Sequence, residues 1–449
     1  MSRLFGTDGI RGVANVDLKP SLAMALGRAT ARRLAGPGQA IVVGQDTRRS
    51  GDMFVAALTA GATSLGVDVH VVGVVPTPAL AYLARTGRYA AGIMVSASHN
   101  PADDNGLKVL DSDGLKLDER VEEELEQLIW READLGGVGN AELGRQIEAG
   151  AAVDAYRAHR TGLATAVDAS RLHIVLDGAN GSGGAIGREI LAATGARVEA
   201  IHVEPDGVNI NVRCGATHPE SLASAVVERG ADIGFALDGD ADRLIAVDAR
   251  GKVVDGDQVL GILALERLAD GGLPGGLVVS ILSNGGLQMV VEAAGGQVVR
   301  TPVGDKYILD GMQVSGASLG GEKSGHVIIL EHTTSGDGIV TALEVLRVMV
   351  HRGSSLADLA AAIPMLPQQQ RAVAARHKDQ WEGDPVLGRA IAEATRRLDG
   401  RGRVLVRPSG TEPALRVMVE GPDEALVMEP RRLPRGACRG ATKLAPVPH

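Results

Sequence analysis

Gly92-Ile93-Met94-Val95-Ser96-Ala97-Ser98-His99-Asn100-Pro101 passes from a four-residue apolar run straight into a polar loop. So short an apolar run, bounded by turn residues, predicts a buried strand. Asp103-Asp104-Asn105-Gly106 continues the turn, and Lys108 follows it. A small hydroxyl at a strand end, in a tight loop restrained by a proline, is well placed to act as a nucleophile. Serine, asparagine and proline are also ordinary turn residues, so the stretch alone reads first as a solvated connection, and other parts of the chain raise the nucleophile reading.

The flanking sequence repeats the same alternation. Upstream, Ser21 to Leu34 has helical spacing with Ser21 as its N-cap. Ile41-Val42-Val43-Gly44 predicts a strand that ends in Gln45-Asp46-Thr47-Arg48-Arg49-Ser50-Gly51, followed by a helix to about Leu65. Val69 to Val72 is a further strand and Thr77 to Ala84 a short helix. Val121 to Glu132 is a charged amphipathic helix, and Gly136 to Gly144 a glycine-rich break. Strands alternating with helices predict a parallel or mixed sheet. Ligands of such sheets sit outside the carboxyl ends of the strands, where the Asp46 and Ser98 loops fall.

Two more units follow in the same style. In the second, Ile174 to Gly178 is a strand followed by Ala179-Asn180-Gly181-Ser182-Gly183-Gly184. This misses the dinucleotide fingerprint, because counting from Gly181 the third glycine arrives one place late, at Gly187. Ile233 to Leu237 then runs into Asp238-Gly239-Asp240-Ala241-Asp242-Arg243, and Leu244 to Val247 returns. In the third, Leu277 to Leu282 is a strand, Ser283 to Gly286 caps the next helix, and Thr301 to Tyr307 is a loop carrying Asp305 and Lys306. Gly320 to His326 lies between apolar runs, and Asp337 to His351 is a long helix. Pro364 and Pro367 mark a boundary before a smaller unit that holds Arg407-Pro408-Ser409-Gly410-Thr411-Glu412-Pro413. The expected domains are residues 1–150, 151–254, 255–366 and 367–449, the last with an atypical tail over 428–449.

Asp238, Asp240 and Asp242 carry the sharpest chemical signal. Three carboxylates at alternating positions repel one another unless a cation lies between them. All-oxygen ligands favour Mg²⁺, Mn²⁺ or Ca²⁺ over zinc. A calcium-binding EF-hand fails by count: its sixth position would be Arg243 and its twelfth Ala249. A Mg²⁺ ion on three carboxylates still takes a further oxygen ligand, which Ser98 could supply once phosphorylated. Arg407 to Glu412 has the makings of an anion cradle, with Gly410 for converging amides, Ser409 and Thr411 for hydroxyls, and Arg407 and Arg416 for charge. The same residues also read as a helix start with Glu412 in its first turn. Glu322, Ser324 and His326 suit contacts to vicinal sugar hydroxyls. Lys108 and His326 are the candidate proton carriers.

Composition narrows the partners. The chain has 449 residues, room for three or four domains. A net charge of −9, only 2% aromatics and no basic tract argue against nucleic acid. No apolar run reaches membrane-spanning length and the N-terminus has no signal-peptide core, so the expected location is the cytoplasm. The two cysteines, Cys214 and Cys438, form no close motif and suggest neither a disulfide scaffold nor a zinc site.

Thr7-Asp8-Gly9-Ile10-Arg11-Gly12, Ser96 to Pro101, Asp238 to Arg243, Gly321 to His326 and Arg407 to Pro413 occur in the order seen in the α-D-phosphohexomutases. The chain resembles that family over about residues 1 to 427. The resemblance implies an α/β fold: three similar mixed α/β domains plus a smaller α+β C-terminal domain around a central cleft. It implies that Ser98 is a phosphoserine, that Asp238, Asp240 and Asp242 hold one Mg²⁺ with its phosphate, and that Glu322 and Ser324 contact the sugar. The Arg407 to Thr411 loop, with Arg416, would hold the phosphate that is not reacting. Arg11, Lys108, Arg243, Lys306 and His326 would assist binding or proton transfer.

The opening Phe5 to Gly12 points to the amino-sugar branch, interconverting glucosamine 6-phosphate and glucosamine 1-phosphate on the way to UDP-N-acetylglucosamine. Glucosamine 1,6-bisphosphate would be both intermediate and activator. A phosphomannomutase/phosphoglucomutase and a metal-dependent sugar phosphatase stay open as alternatives. The expected partner is a phosphosugar, with phosphorylation of Ser98 as the activating event, no nucleic acid or membrane, and a homodimer left open. One departure concerns the end of the chain. Family members usually close with an amphipathic helix, whereas Met428-Glu429-Pro430-Arg431-Arg432-Leu433-Pro434-Arg435-Gly436 breaks any helix.

Overall fold

A computed structural model describes residues 3–375, 378–408 and 414–428. The chain divides into two compact units, one of residues 1–281 and 291–363, the other of 282–290 and 364–449.

The larger unit contains three sheets. The first is built from β1 (Ile10–Val13), β2 (Ala40–Gln45), β3 (Asp68–Val74), β4 (Ala91–Val95), β5 (Asp104–Asp111) and β6 (Gln146–Glu148), in the order β1-β5-β4-β2-β3-β6. The second contains β7 (His173–Asp177), β8 (Arg197–Ile201), β9 (Ile233–Leu237), β10 (Leu244–Asp248) and β11 (Val253–Val254), in the order β11-β10-β9-β7-β8. The third contains β12 (Leu277–Ser280), β13 (Val298–Thr301), β14 (Leu319–Gly321) and β15 (Val327–Ile329), in the order β13-β12-β14-β15.

One pattern recurs in all three. Two parallel strands flank a first strand on either side, β3 and β4 about β2, β8 and β9 about β7, β13 and β14 about β12. A fourth strand then folds back antiparallel on the third: β5 on β4, β10 on β9, β15 on β14. The three loops singled out in the sequence, at Ser98, at Asp238–Arg243 and at Glu322–His326, are the three connections between third and fourth strands. The similarity of the three units is therefore one of topology. It puts each loop at the carboxyl end of a parallel strand.

Local sequence explains the elements. β4 and β9 are buried at every residue, as unbroken apolar runs between polar turns require. The first helix is Pro20–Leu34 rather than a helix capped by Ser21. Pro20 occupies its first position, where the missing N–H costs nothing, and Lys19 is the N-cap. Helices Pro20–Leu34 and Gly51–Thr63 pack closely through Gly27 and Gly61, whose Cβ atoms would stand 2.3 Å from Leu58 O and 2.2 Å from Met24 O. Asp305 and Lys306, expected in a loop, open the helix Asp305–Ser315. Asp337 caps the helix Gly338–Arg352 through the amides of Ile339 and Val340. Its other oxygen accepts from Tyr156 Oη at 3.0 Å and Arg160 Nε at 3.1 Å, both side chains fully buried. This joins helix Val153–Ala164 to helix Gly338–Arg352.

The smaller unit holds an antiparallel sheet of β16 (Gln368–Ala374), β17 (Arg403–Pro408) and β18 (Ala414–Glu420), in the order β16-β18-β17. Val406, Leu415 and Val417 form its core, with Trp381, Leu387 and Ile391 packed against them. Arg407 and Pro408 thus end β17 and Ala414 opens β18, while 409–413, where the sequence offers an anion cradle or a helix start, lie outside the described residues. Among the described residues no helix is long and apolar enough to cross a membrane.

Candidate active site

Ser98 is fully buried, and its Oγ donates a 2.6 Å hydrogen bond to Asp238 Oδ2. The residue sits at φ 53°, in the left-handed region that a non-glycine residue holds only when its surroundings fix it. Those surroundings are dense. Ser98 N donates to Ser96 Oγ at 2.9 Å, and Ser96 Oγ donates to Asp46 Oδ2 at 2.6 Å. Asp46 pairs with Arg48, with both side chains excluded from solvent. Arg48 donates to the carbonyls of Ser98 and Asn100 at 3.1 and 2.7 Å. Arg11 donates to Ala97 O and Asn100 Oδ1, each at 3.1 Å, and Asn211 to Ser98 O at 2.9 Å.

Asp238, Asp240 and Asp242 are 1%, 0% and 4% exposed, and one oxygen from each lies within 4.8 Å of the others. Such burial is tolerable only with positive charge nearby. Lys108 provides one. Its Nζ is 2.7 Å from Asp240 Oδ2, 3.3 Å from Asp8 Oδ2 and 3.6 Å from Asp242 Oδ2. Burial alone would lower the Lys108 pKa; Asp240, Asp8 and Asp242 together raise it instead. Asp242 is held low against its own burial by Lys108, His326 and Arg243. Asp238 goes the other way: burial first, then the Asp242 and Asp240 charges, push its carboxyl well above the ordinary range. Asp240 Oδ1 and Asp242 Oδ1 are buried and have no hydrogen-bond partner among the described residues. Orphaned carboxylate oxygens, beside a carboxyl that burial and its neighbours' charge push up, fit a hard divalent cation that would ligate them. Gly239 permits the close approach, since a Cβ there would lie 2.6 Å from Ser98 O.

The other sequence candidates fall as follows. Arg243 donates its amide to Asp238 Oδ1 at 3.1 Å, and its Nε lies 3.7 Å from Asp242. His326 is 3% exposed; its Nε2 accepts from Gly336 N at 3.0 Å and its Nδ1 lies 3.7 Å from Asp242. Lys108 and His326 are thus both engaged, Lys108 as a counter-ion enclosed by carboxylates. Glu322 Oε1 accepts from Gly304 N at 3.0 Å, Ser324 is exposed, and Lys306 Nζ lies 3.7 Å from Glu122. Arg407 and Arg416 are opposite one another across β17 and β18 in the smaller unit. Ser409, Gly410 and Thr411 lie outside the described residues.

The sequence reading missed several groups. Thr77 Oγ1 donates to Asp240 Oδ2 at 2.5 Å. Lys116 pairs with Asp8 and, at 2.5 Å, with Asp305. His99 Nδ1 lies 3.2 Å from Ser98 Oγ. Burial, then the Arg243 and Arg11 cations, push the His99 imidazole down to about 4, so it is neutral near pH 7. Only His99 was within reach of the sequence, as the neighbour of Ser98.

Models of the phosphoglucomutase/phosphomannomutase family match the chain in four parts: alpha/beta/alpha domain I over residues 2–135, domain II over 154–251, domain III over 255–366 and the C-terminal domain over 369–432. The chain belongs to this family. It is 53% identical over 427 residues to a phosphoglucosamine mutase of Moorella thermoacetica, covering 94% of this chain and 96% of that one. It is 49% identical over 429 residues to that of a Nocardioides species, covering 94% and 95%. A family protein of Burkholderia thailandensis superposes with a TM-score of 0.79 at 26% identity, covering 96% of this chain and 95% of that one. The N-acetylphosphoglucosamine mutase of Aspergillus fumigatus, solved with GlcNAc-6P and magnesium, shares the fold at a TM-score of 0.67 and 18% identity, covering 95% and 93%. The chain is accordingly a mutase, an isomerase that transfers a phosphoryl group on a phosphosugar.

Proposed function

We propose that the chain interconverts glucosamine 6-phosphate and glucosamine 1-phosphate through a phosphorylated Ser98 and a 1,6-bisphosphate. The observation that carries this is the 2.6 Å contact of Ser98 Oγ with Asp238 inside a buried aspartate triad. The names of relatives about half identical over nearly the whole chain support the amino sugar as substrate.

Asp238, Asp240 and Asp242, with the phosphate on Ser98, would hold one Mg²⁺, which would polarise the phosphoryl group for transfer. Ser98 gives its phosphoryl group to the free hydroxyl of the bound monophosphate; the Ser98 O–P bond breaks as the sugar O–P bond forms. After the bisphosphate reorients, Ser98 Oγ attacks its other phosphate. In each transfer the proton of the attacking hydroxyl ends on the oxygen freed when the O–P bond breaks: the sugar's proton on Ser98 Oγ, then the Ser98 proton on the sugar oxygen. His99 Nδ1, 3.2 Å from Ser98 Oγ, is within hydrogen-bond reach to relay it. Lys108 neutralises the carboxylates beside the transferring group, and Arg11 and Arg48 hold the serine loop by its carbonyls. Glu322, Ser324 and Lys306 would bind the sugar. Arg407, Ser409, Gly410, Thr411 and Arg416 would hold the distal phosphate. The product would supply UDP-N-acetylglucosamine synthesis.

Purified protein given Mg²⁺, a trace of glucosamine 1,6-bisphosphate and either monophosphate is expected to equilibrate the two. Ser98→Ala is expected to abolish turnover while the circular dichroism spectrum stays that of the parent. Inorganic phosphate as the main product would make the protein a phosphatase instead. Faster turnover of glucose or mannose phosphates would reassign the substrate.

A further inference from the structure

A second group of metal-ligating side chains lies in the middle sheet, away from the aspartate triad. Asp177 ends β7, His202 directly follows β8, and Cys214 lies on the segment that leads to helix Glu220–Arg229. β7 and β8 are parallel neighbours, so Asp177 and His202 both emerge at the carboxyl edge of the sheet. One ligand atom from each of Asp177, His202 and Cys214 lies within 4.8 Å of the others. Asp177 and Cys214 are fully buried. His202 is partly exposed, lining an open cleft of about 700 Å³ together with Val212, Arg213, His218, Glu220 and Ser221.

We propose that Asp177, His202 and Cys214 form a binding site for a borderline-soft divalent cation such as Zn²⁺. The donor set is mixed carboxylate, imidazole and thiol, which selects zinc-like ions over the Mg²⁺ favoured by an all-oxygen triad. Tetrahedral zinc with bonds of roughly 2.0–2.3 Å keeps its ligand atoms about 3.3–3.8 Å apart, within the spacing already present. The carboxylate is pre-oriented: Asp177 Oδ1 accepts from Ala179 N and Oδ2 from Gly215 N, each at 2.9 Å. Backbone donors of this kind fix a ligand before the metal arrives. His202 Nδ1 stands 3.1 Å from Asp177 Oδ1 and is itself shielded from solvent. Of the three side chains, His202 also lines the cleft.

The position ties the site to the catalytic loop. Gly215 is the amide held by Asp177, and the next residue, Ala216, donates to Leu237 O at 2.8 Å, immediately before Asp238. Ser182, on the loop that follows Asp177, donates its amide to Gly239 O at 2.9 Å. A cation drawn in here stiffens or shifts the backbone on which Asp238 and Gly239 are carried, so an occupied site alters turnover of enzyme already saturated with Mg²⁺.

The test uses the full chain saturated with Mg²⁺ and titrated with Co²⁺ as a spectroscopic stand-in for Zn²⁺. A thiolate-to-cobalt charge-transfer band is expected, one equivalent per chain, displaced by Zn²⁺ and lost in Cys214→Ala. His202→Gln, a change at a partly exposed position, is expected to keep the fold and weaken Co²⁺ binding by at least the roughly tenfold that loss of a supporting group costs. Absence of the band, its persistence in Cys214→Ala with loss in Cys438→Ala, or unchanged affinity in a folded His202→Gln would each overturn the site. Co²⁺ binding without any change in turnover would overturn the coupling to the catalytic loop.

Discussion

Lys108→Met removes one buried charge while roughly conserving side-chain length. Lys108 Nζ faces Asp240 at 2.7 Å, Asp8 at 3.3 Å and Asp242 at 3.6 Å, with its side chain 2% exposed. Removing one partner of a buried ion pair costs about 3–5 kcal/mol. The low end applies here, because a carboxyl of the cluster can take up a proton in place of the lost cation. We therefore expect a loss of about 3 kcal/mol in chelator. With Mg²⁺ bound, the ion replaces the missing charge, and the loss shrinks to about 1 kcal/mol. The difference of about 2 kcal/mol is by linkage a roughly thirtyfold gain in Mg²⁺ affinity, since Lys108 no longer repels the ion. Titration calorimetry of dephosphorylated protein measures the affinity, and thermal unfolding in chelator and in saturating Mg²⁺ measures the stability. If the variant binds Mg²⁺ no more tightly than its parent, or melts with it in chelator, Lys108 is not the counter-ion of the triad. Loss of turnover alone does not bear on this, because a proton-carrying lysine would give the same result.

Three further outcomes follow from the same geometry. Above the ordinary carboxylate range Asp238 keeps a proton that the unfolded chain has released, so metal-free stability falls as pH rises through that window, by at most about 1.4 kcal/mol per unit. Asp8 and Asp242, both held low, stabilise above that range and lose their contribution only as pH falls below it. Urea unfolding across pH should show the alkaline slope flattened by Mg²⁺; a slope that Mg²⁺ leaves alone places the proton on another group. Gly239→Ala forces the aspartate loop away from Ser98 O, and a displacement near 1 Å costs about 100-fold in kcat; steady-state rates at the parent level would show the approach to be unnecessary. Asp337→Ala strands the buried Arg160 guanidinium and uncaps helix Gly338–Arg352, a loss of about 3–5 kcal/mol. Arg160→Met with Asp337→Asn should recover most of it in denaturant titrations, and equal losses in the two variants would assign the cost to packing instead.

What the sequence revealed and what it hid divide along physical lines. β4 and β9 were legible because buried parallel strands need unbroken apolar runs, and polar residues end those runs abruptly. The aspartate triad was legible because alternating carboxylates have few stable environments without a cation. Contacts made across the chain were not legible. Thr77 and Asp240 are 163 positions apart, and nothing local in Thr77 distinguishes a metal-loop donor from a helix start. Lys108 showed its charge but not its enclosure by Asp240, Asp8 and Asp242, which lie far from it in sequence or on another sheet. Cys214 showed no partner because its neighbours in space, Asp177 and His202, come from two other strand ends. The repeat behaves differently again. The sequence shows no strong repeat among the three units, yet each places a third-to-fourth-strand hairpin at a sheet's carboxyl edge. The three hairpins differ in chemistry: one carries the Ser98 hydroxyl, one the three aspartates, and one Glu322, Ser324 and His326. The sequence already showed three units of similar strand-loop-helix order; strand order adds that the three motif loops occupy the same connection in each.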